Sequence, residues 1–488
     1  MQINRFWIFT LLFSLFFVHF SCQNGSNPVN NQRESNENET SAAAETEINY
    51  YKNIPEGLNY DGYTFTIFTW DPALRANDPY IIIEEIQGEV LNDAAYTRNL
   101  EVMELLNVNI GYFYKNEGEL YNQVVRDNTA GDCPYDIVIP WPGLGGAPSL
   151  VTNGQLYDWN KVPYVDLSED WYNQSARTAY TVNGKQFLCV SDLLRSIPRH
   201  FQFLFNKTLC TDYGLEYPYQ LVYDGKWTLE VVSRYIKDFY TDLNGDGKED
   251  MGDRFGLVGR DVELGSFIAH WGESPISIGK DGFSLNIFSE RISLMTDKLQ
   301  NLVSTIDVFY TAGQLELFGI FDDGRSLFRF CTSNPYMVRE IEVDVGYLPI
   351  PKFDEIQSGY ITATCGSWMG IPLSRTTEQV SRTGAVVEAL SAASSKYLIE
   401  AYIKQHIENK VLRDEDSVNM YRIIMNSTRH ESSFLFDSTN LLNTSFQYYV
   451  EIITNKTGTV NLASQYAKHA DKLQTTLDSL YEMMLENQ

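Results

Sequence analysis

Apolar and polar residues alternate over Tyr63–Trp70 (YTFTIFTW), a stretch rich in β-branched and aromatic side chains, and this predicts a first strand. Residues 93–106 follow with Leu100, Met103 and Leu106 at helical spacing. Asn109–Tyr114 (NIGYFY) then reads as a second strand and Tyr135–Pro140 (YDIVIP) as a third, apolar on both faces. Strands alternating with helices predict a mostly parallel sheet covered on both sides. Further on, Phe201–Phe205 reads as a strand. Thr228 is placed to N-cap a helix with Leu229, Val232, Ile236 and Phe239 along one face, and Val345–Pro351 looks like another strand. The last third is helical. Residues 387–412 contain neither Gly nor Pro, and Leu462, Tyr466, Leu473, Leu477, Leu480 and Met484 form a core-facing stripe in a final helix.

The longest apolar run lies at the N-terminus. Arg5 precedes Phe6–Phe20 (FWIFTLLFSLFFVHF), which is shorter than the ~20 residues that span a bilayer. Residues 1–21 therefore read as a signal peptide. Cys22 follows Ser21 directly, as at a lipoprotein cleavage site, and is the expected lipidation site. His19 stands where such sites usually carry Leu, so a plain secreted protein with an incidental Cys22 is the alternative. Gln23–Glu47 has no aromatic and almost no large aliphatic residue, too little to offset its ordering entropy. Residues 22–55 are accordingly expected to be a lipidated cysteine and a disordered tether with a reach of ~30 Å. Because a single acyl chain binds membranes marginally, stable attachment calls for more than one on Cys22.

Composition sharpens this picture. Hydrophobic residues make up 43% of the chain and aromatics 14%. The ~440 residues after the tether exceed what one core holds, so two lobes are expected. A net charge of −27 repels nucleic acid, which is excluded as a partner. Cys133, Cys189, Cys210, Cys331 and Cys365 show no metal-ligand spacing, and most read as buried small hydrophobes. There is no HExxH, GxSxG, P-loop or strand-borne GxGxxG, which removes the usual grounds for proposing an enzyme.

One motif is specific. Asp242, Asn244, Asp246, Lys248, Asp250 and Asp253, with Gly247 at the sharp turn, fit positions 1, 3, 5, 7, 9 and 12 of an EF-hand-type calcium loop. Asp253 replaces the usual Glu, so a structural ion of weakened affinity is expected. The alternative is an Asx-rich turn without metal. For a ligand, the tryptophans stand out. Trp70-Asp71 ends the first strand and Trp141 follows the third, where ligands of open α/β sheets bind. Trp271 with Glu273, and Trp368, lie in later Gly-flanked segments. Aromatic rings beside polar groups suit sugars, although each ring could equally be packing.

These segments resemble the extracellular solute-binding proteins of bacterial ABC importers, in particular long lipoprotein forms associated with carbohydrate uptake. The likeness runs through Asn92–Asn99, Leu105–Ile110, Tyr164–Ser168, Trp171-Tyr172, Asn183–Lys185, Phe205–Lys207, Tyr213–Leu215, Gly225–Thr228, Asp414-Glu415 and Met420–Met425. The segment Arg339–Tyr360 (REIEVDVGYLPIPKFDEIQSGY) is the most specific. The resemblance implies an α/β, periplasmic-binding-protein-like type II fold: two α/β lobes joined by a hinge, with a helical C-terminal region. Residues 56–200 would begin lobe 1, residues 201–350 form lobe 2 with the calcium-like loop, and residues 351–488 return to lobe 1 and add helices. Asp192 would be a ligand contact near the hinge, although Val190-Ser191 precedes it where relatives show Gly. The implied function is capture of a sugar or oligosaccharide by a lipid-anchored monomer at the outer face of the cell membrane, for an ABC permease. A secreted, calcium-stabilised carbohydrate-active hydrolase and a surface sugar-binding module without a transporter are the alternatives.

Overall fold

Two sheets organise the computed structural model, which describes residues 48–70, 83, 85–140, 146–194, 200–279, 281–311, 319–333, 338, 341–364, 367–402, 412, 414–433, 445–455 and 460–486. The signal peptide, Cys22 and the tether as far as residue 47 lie outside the described residues.

Lobe 1 begins with strand β1 (Tyr63–Trp70), helix α1 (Val90–Leu106), β2 (Val108–Lys115) and β3 (Ile137–Val138). Parallel pairing places β1 between the other two, with Tyr63 opposite Val108 and Ile67 opposite Ile137. The sheet is extended by single bridges, Val138 to Gly370 and Met369 to Cys189, so the returning chain is threaded in beside β3. The third strand is therefore shorter than its apolar run suggested. Helix α1 is capped by the Glu89 carboxylate, which accepts the Asn92 N–H, and ends at Asn107 in the left-handed region (φ 47). Its buried face is Leu91, Ala95, Val102 and Leu106, with Asn92, Arg98 and Asn99 among them. Leu100, expected to face the core, is 40% exposed; buried polar residues hid the true face. Helices α2 (Gly146–Thr152) and α3 (Gln174–Tyr180) also belong to this lobe.

Lobe 2 is built from β4 (His200–Asn206), α4 (Leu229–Ile236), β5 (Phe255–Arg260), a separate hairpin of β6 (Ile276–Gly279) and β7 (Gly282–Leu285), α5 (Glu290–Val303), β8 (Val308–Thr311), β9 (Ser326–Ser333) and β10 (Val345–Leu348). The sheet order is β8-β5-β9-β4-β10. Strands β8, β5 and β9 are parallel, and β4 runs antiparallel to β9 and β10. Thr228 caps α4 as the sequence predicts, its hydroxyl accepting the Val231 N–H at 3.4 Å. Leu229, Val232 and Ile236 of the expected stripe are buried on the helix, which ends at Ile236, so Phe239, though buried, lies past its end. On one face of the sheet Phe203 packs against Trp227, Phe267, Phe328 and Phe330.

The chain returns from lobe 2 through Pro349–Met369, which includes β11 (Thr362–Thr364). Helix α6 (Thr377–Ala393) packs on α1, and α7 (Glu415–Asn426) packs on β4 and β10. Strand β12 (Thr428–His430) pairs in parallel with β11. Helix α8 (Ser445–Ile453) lies on α5, and α9 (Leu462–Glu486) closes the fold. The C-terminal third is thus shared between the lobes. One apolar cluster runs without a break from Phe68 and Leu150 through Tyr180 and Ile276 to Phe330. A second fills the opposite face of the lobe 1 sheet, around Ile67, Trp159 and Val386.

The expected tether boundary at residue 55 is too late, because the chain is already packed on lobe 1 by Tyr51. The Tyr51 hydroxyl donates to Glu101 at 2.7 Å, Asn53 donates to Glu388 at 2.7 Å and Ile54 enters the core. Cys133, Cys189 and Cys210 are buried free thiols, and Cys331 is buried; Cys365 lies outside the described residues.

Candidate functional site

The tryptophans singled out in the sequence are placed in the interior. Trp70 is buried at the end of β1. Trp271 is 1% exposed, and its indole N–H donates to the Pro351 carbonyl at 3.0 Å. Trp368 is 0% exposed, edge-on to Tyr180, and its N–H has no acceptor among the described residues. Asp192 is buried in a turn whose backbone N–H donates to Trp171 O. Glu273 accepts from Arg291 Nε at 3.1 Å. These residues serve different packing layers and are not drawn into one cluster. Asp71 and Trp141 lie outside the described residues.

A polar constellation that the sequence did not flag sits at the edge where β5 and β9 end and β4 begins. This edge faces the crossover, since the chain enters β4 from lobe 1. Arg260 closes β5, and a single helical turn, Asp261–Leu264, follows and presents Glu263. Glu263 is 6% exposed. Its Oε1 accepts from the Thr332 hydroxyl at 2.8 Å and lies 3.5 Å from Arg260 Nη1. Its Oε2 is buried with no hydrogen-bond partner among the described residues, as is Arg260 Nε. Burial pushes the Glu263 carboxyl above the usual range, with Thr332 and Arg260 opposing the shift in part. Beside it, half-buried Phe201 pairs with Thr332 across the strands and stacks on Phe330 at 5.8 Å and against His270 at 4.8 Å. A fixed acid with one oxygen unspent, a guanidinium and an aromatic ring are suited to reading hydroxyl groups on a partly apolar ring. The available sequence signal was positional: Glu263 lies just past the carboxyl end of a strand. That strand, Phe255–Arg260 (FGLVGR), carries two glycines and was not assigned from the sequence.

The calcium-like loop is held by its own amides. Asp242 accepts the N–H groups of Gly245 and Gly247 at 2.6 and 2.9 Å, Asn244 that of Asp246 at 2.9 Å, and Asp246 that of Lys248 at 2.8 Å. Asp250 accepts from Gly252 at 2.7 Å, and Asp253 from Leu243 at 3.1 Å and the Tyr240 hydroxyl at 2.9 Å. Gly247 takes the positive φ of 72° that the motif requires. The donors are the hard oxygens that calcium prefers. However, no group of three or more acidic, His or Cys side chains among the described residues is gathered to hold an ion. In this form the loop is a series of Asx turns.

Inside lobe 2, a void of about 10 Å³ lies between apolar side chains that include Phe203, Leu257, Phe267 and Leu299. It is smaller than any solute and lacks the polar partners a water needs.

No protein-family model matches the chain, and no curated protein matches it in sequence. Solved structures do match it in shape. A cyclo/maltodextrin-binding protein complexed with maltotetraose aligns with a TM-score of 0.56 at 14% identity, over 88% of this chain and 97% of that one. The cyclic alpha-maltosyl-1,6-maltose binding protein of Arthrobacter globiformis aligns at 0.53 and 13% identity, over 87% and 99% of the two chains. An ABC substrate-binding protein of Listeria monocytogenes, in complex with cycloalternan, aligns at 0.51 and 13% identity, over 87% and 99%. The fold is therefore the two-lobed α/β fold of type II periplasmic binding proteins, as the sequence implied.

Glu263 carries a stability signature. Its folded-state pKa lies above the unfolded one, so the wild-type protein loses stability as pH rises through that interval. Glu263→Gln removes this loss while keeping an oxygen for Thr332. Denaturation midpoints measured from pH 4 to 8 should coincide at the acid end and diverge upward in favour of the variant. Parallel curves would show that Glu263 pays no burial penalty.

Proposed function

We propose that this chain is the solute-capturing component of an ABC importer and binds a sugar or oligosaccharide between its lobes without transforming it. The observation that carries this reading is Glu263, a buried acid at the crossover edge whose second oxygen is unpartnered among the described residues, flanked by Arg260, Thr332 and the Phe201 ring. Natural cores pair most such oxygens, and an unpaired one calls for a water, an ion or a ligand as partner; Glu263 Oε2 is one of several such atoms among the described residues, set apart by its place at the crossover edge. Asp71 and Trp141, which lie outside the described residues, and Trp70, Asp192, Trp271, Glu273 and Trp368 remain candidate ligand contacts on the sequence argument alone.

A glycosidase needs two carboxyl groups facing each other across the bond to be cut. Among the described residues the groups acting on Glu263 are the hydroxyl and backbone N–H of Thr332 and the guanidinium groups of Arg260 and Arg329, none of them a second carboxyl, which favours binding over hydrolysis. The solved proteins of this shape supply the ligand class: those named above are described as binding maltodextrins, cyclic maltosyl-maltose or cycloalternan. The N-terminal apolar run and Cys22 support export and lipid anchoring at the outer face of the membrane, beside a permease. The twelve-residue loop is assigned a structural calcium, which would draw its carboxylates away from the amides they now hold.

A thermal-shift screen of residues 48–488 against mono- and oligosaccharides should raise the melting temperature with at least one of them, with the sugar recovered intact. No shift across the panel sinks the sugar assignment, and cleavage of the sugar sinks the binding-only reading. Asp246→Ala should lower the melting temperature in calcium but not in chelator, and Cys22→Ala should release the protein from the membrane fraction. Equal losses in both media, or continued membrane association, would overturn those two assignments.

A further inference from the structure

A two-lobed binding protein opens and closes by rotation about its crossing segments. In this chain a second structure, rooted beside those segments, also joins the lobes. Hairpin β6–β7 is not part of the lobe 2 sheet. It rises from lobe 2 and packs against α3 and the adjoining residues Thr181–Val182 of lobe 1. Its root is stitched to the stretch that follows β12. The Ser274 hydroxyl donates to Glu431 Oε1 at 2.5 Å, and the Ile276 N–H donates to the Ser433 hydroxyl at 3.0 Å. The same stretch grips lobe 1: the His430 N–H donates to Ser175 of α3 at 2.9 Å, and His430 Nδ1 lies 3.0 Å from the Tyr180 hydroxyl.

Helix α9 lies along this hairpin. Its Gln474 side chain donates to the Phe283 carbonyl at 3.2 Å and accepts the Leu285 N–H at 3.3 Å. The Tyr466 ring stacks on Phe288 at 5.1 Å, and the Tyr481 ring meets Phe283 edge-on at 5.9 Å. Leu473, Leu477, Leu480 and Met484 are buried along one stripe of α9 and belong to the same apolar cluster as Leu150 and Val151 of α2 in lobe 1. Helix α9 also touches α5 in lobe 2 and α2 in lobe 1 directly. It therefore spans from one lobe to the other.

We propose that hairpin β6–β7 and helix α9 form a latch that holds the lobes together, so that opening requires the end of α9 to leave α2. Helix α9 is the last element among the described residues and contributes no strand to either sheet. The proposal needs the two-lobed fold but not the identity of the solute.

The test is an interlobe distance measured without any ligand in the full chain. Spin labels at Glu104→Cys on α1 and Asp297→Cys on α5, both exposed positions, report the separation by double electron–electron resonance. The native latch should give one narrow distance distribution. The double variant Tyr481→Ala, Met484→Asp should shift the distribution to longer distances and broaden it, with far-UV circular dichroism reduced by no more than helix α9 contributes. The milder Gln474→Ala removes the two hydrogen bonds to the hairpin, together with one to Asp478 within α9, and should broaden the distribution without shifting its centre as far. If the double variant loses its overall fold, Gln474→Ala decides. Distributions unchanged by the folded variants, or a broad one already present in the native latch, would overturn the proposal.

Discussion

The backbone of Pro349–Thr364 crosses between two lobes buried at both ends, surfacing only around Glu355–Ser358, and a buried peptide group must find a partner. The rest of the molecule is arranged around that need. The indole N–H of Trp227 donates to the Pro349 carbonyl at 2.9 Å and that of Trp271 to Pro351 at 3.0 Å. Gln357 is turned inward, donating to Gly359 O and accepting the Phe353 N–H. The Ala363 N–H finds Nδ1 of His270 at 2.9 Å. That acceptor works only because burial lowers the His270 pKa to about 3, which keeps the imidazole neutral. Strand β12 then covers the remaining edge of β11. The result is a crossing segment fixed by side chains from lobe 2, a firm base from which a hinge can turn.

That constraint explains which parts of the chain were legible in its sequence. Strand β1 appears at the residues its alternation marks, and the cap at Thr228 and the stripes of α4 and α9 appear as spaced, because local periodicity and burial agree there. Helix α1 was legible as an element but not in its facing, since its inner surface includes Arg98 and Asn99. The tryptophans are ambiguous in sequence for a physical reason. An indole combines a large apolar surface with one donor, and that combination suits a sugar face and a buried backbone carbonyl equally well. Sequence cannot distinguish the two uses, and in Trp271 the donor is spent on Pro351. Glu263 was illegible for the opposite reason. It lies among ordinary residues, and only the strand register that brings Thr332 and Phe201 beside it gives it meaning.

Burying Glu263 costs stability, and so does leaving its second oxygen without a partner. The fold offsets such costs elsewhere, in the aromatic layer around Phe203 and in the apolar cluster continuous through both lobes. That continuity also sets the character of the motion. Lobes with separate cores rotate freely, whereas here Ile276, Phe283 and the buried stripe of α9 lie in the same cluster as Leu150 and Tyr180. Opening must expose part of that surface, so lobe opening and the energy of the interlobe contact are linked.

The account rests on Glu263 reading a hydroxyl of a captured sugar at the crossover edge. Isothermal titration of wild type and Glu263→Gln with the sugar that gives the largest stabilisation tests this most directly. One site per chain, with affinity in the variant reduced by roughly ten- to a hundredfold, corresponding to about 1.5–3 kcal/mol for a hydrogen bond to a charged group, is the predicted result. Unchanged affinity in a variant that remains folded would contradict it.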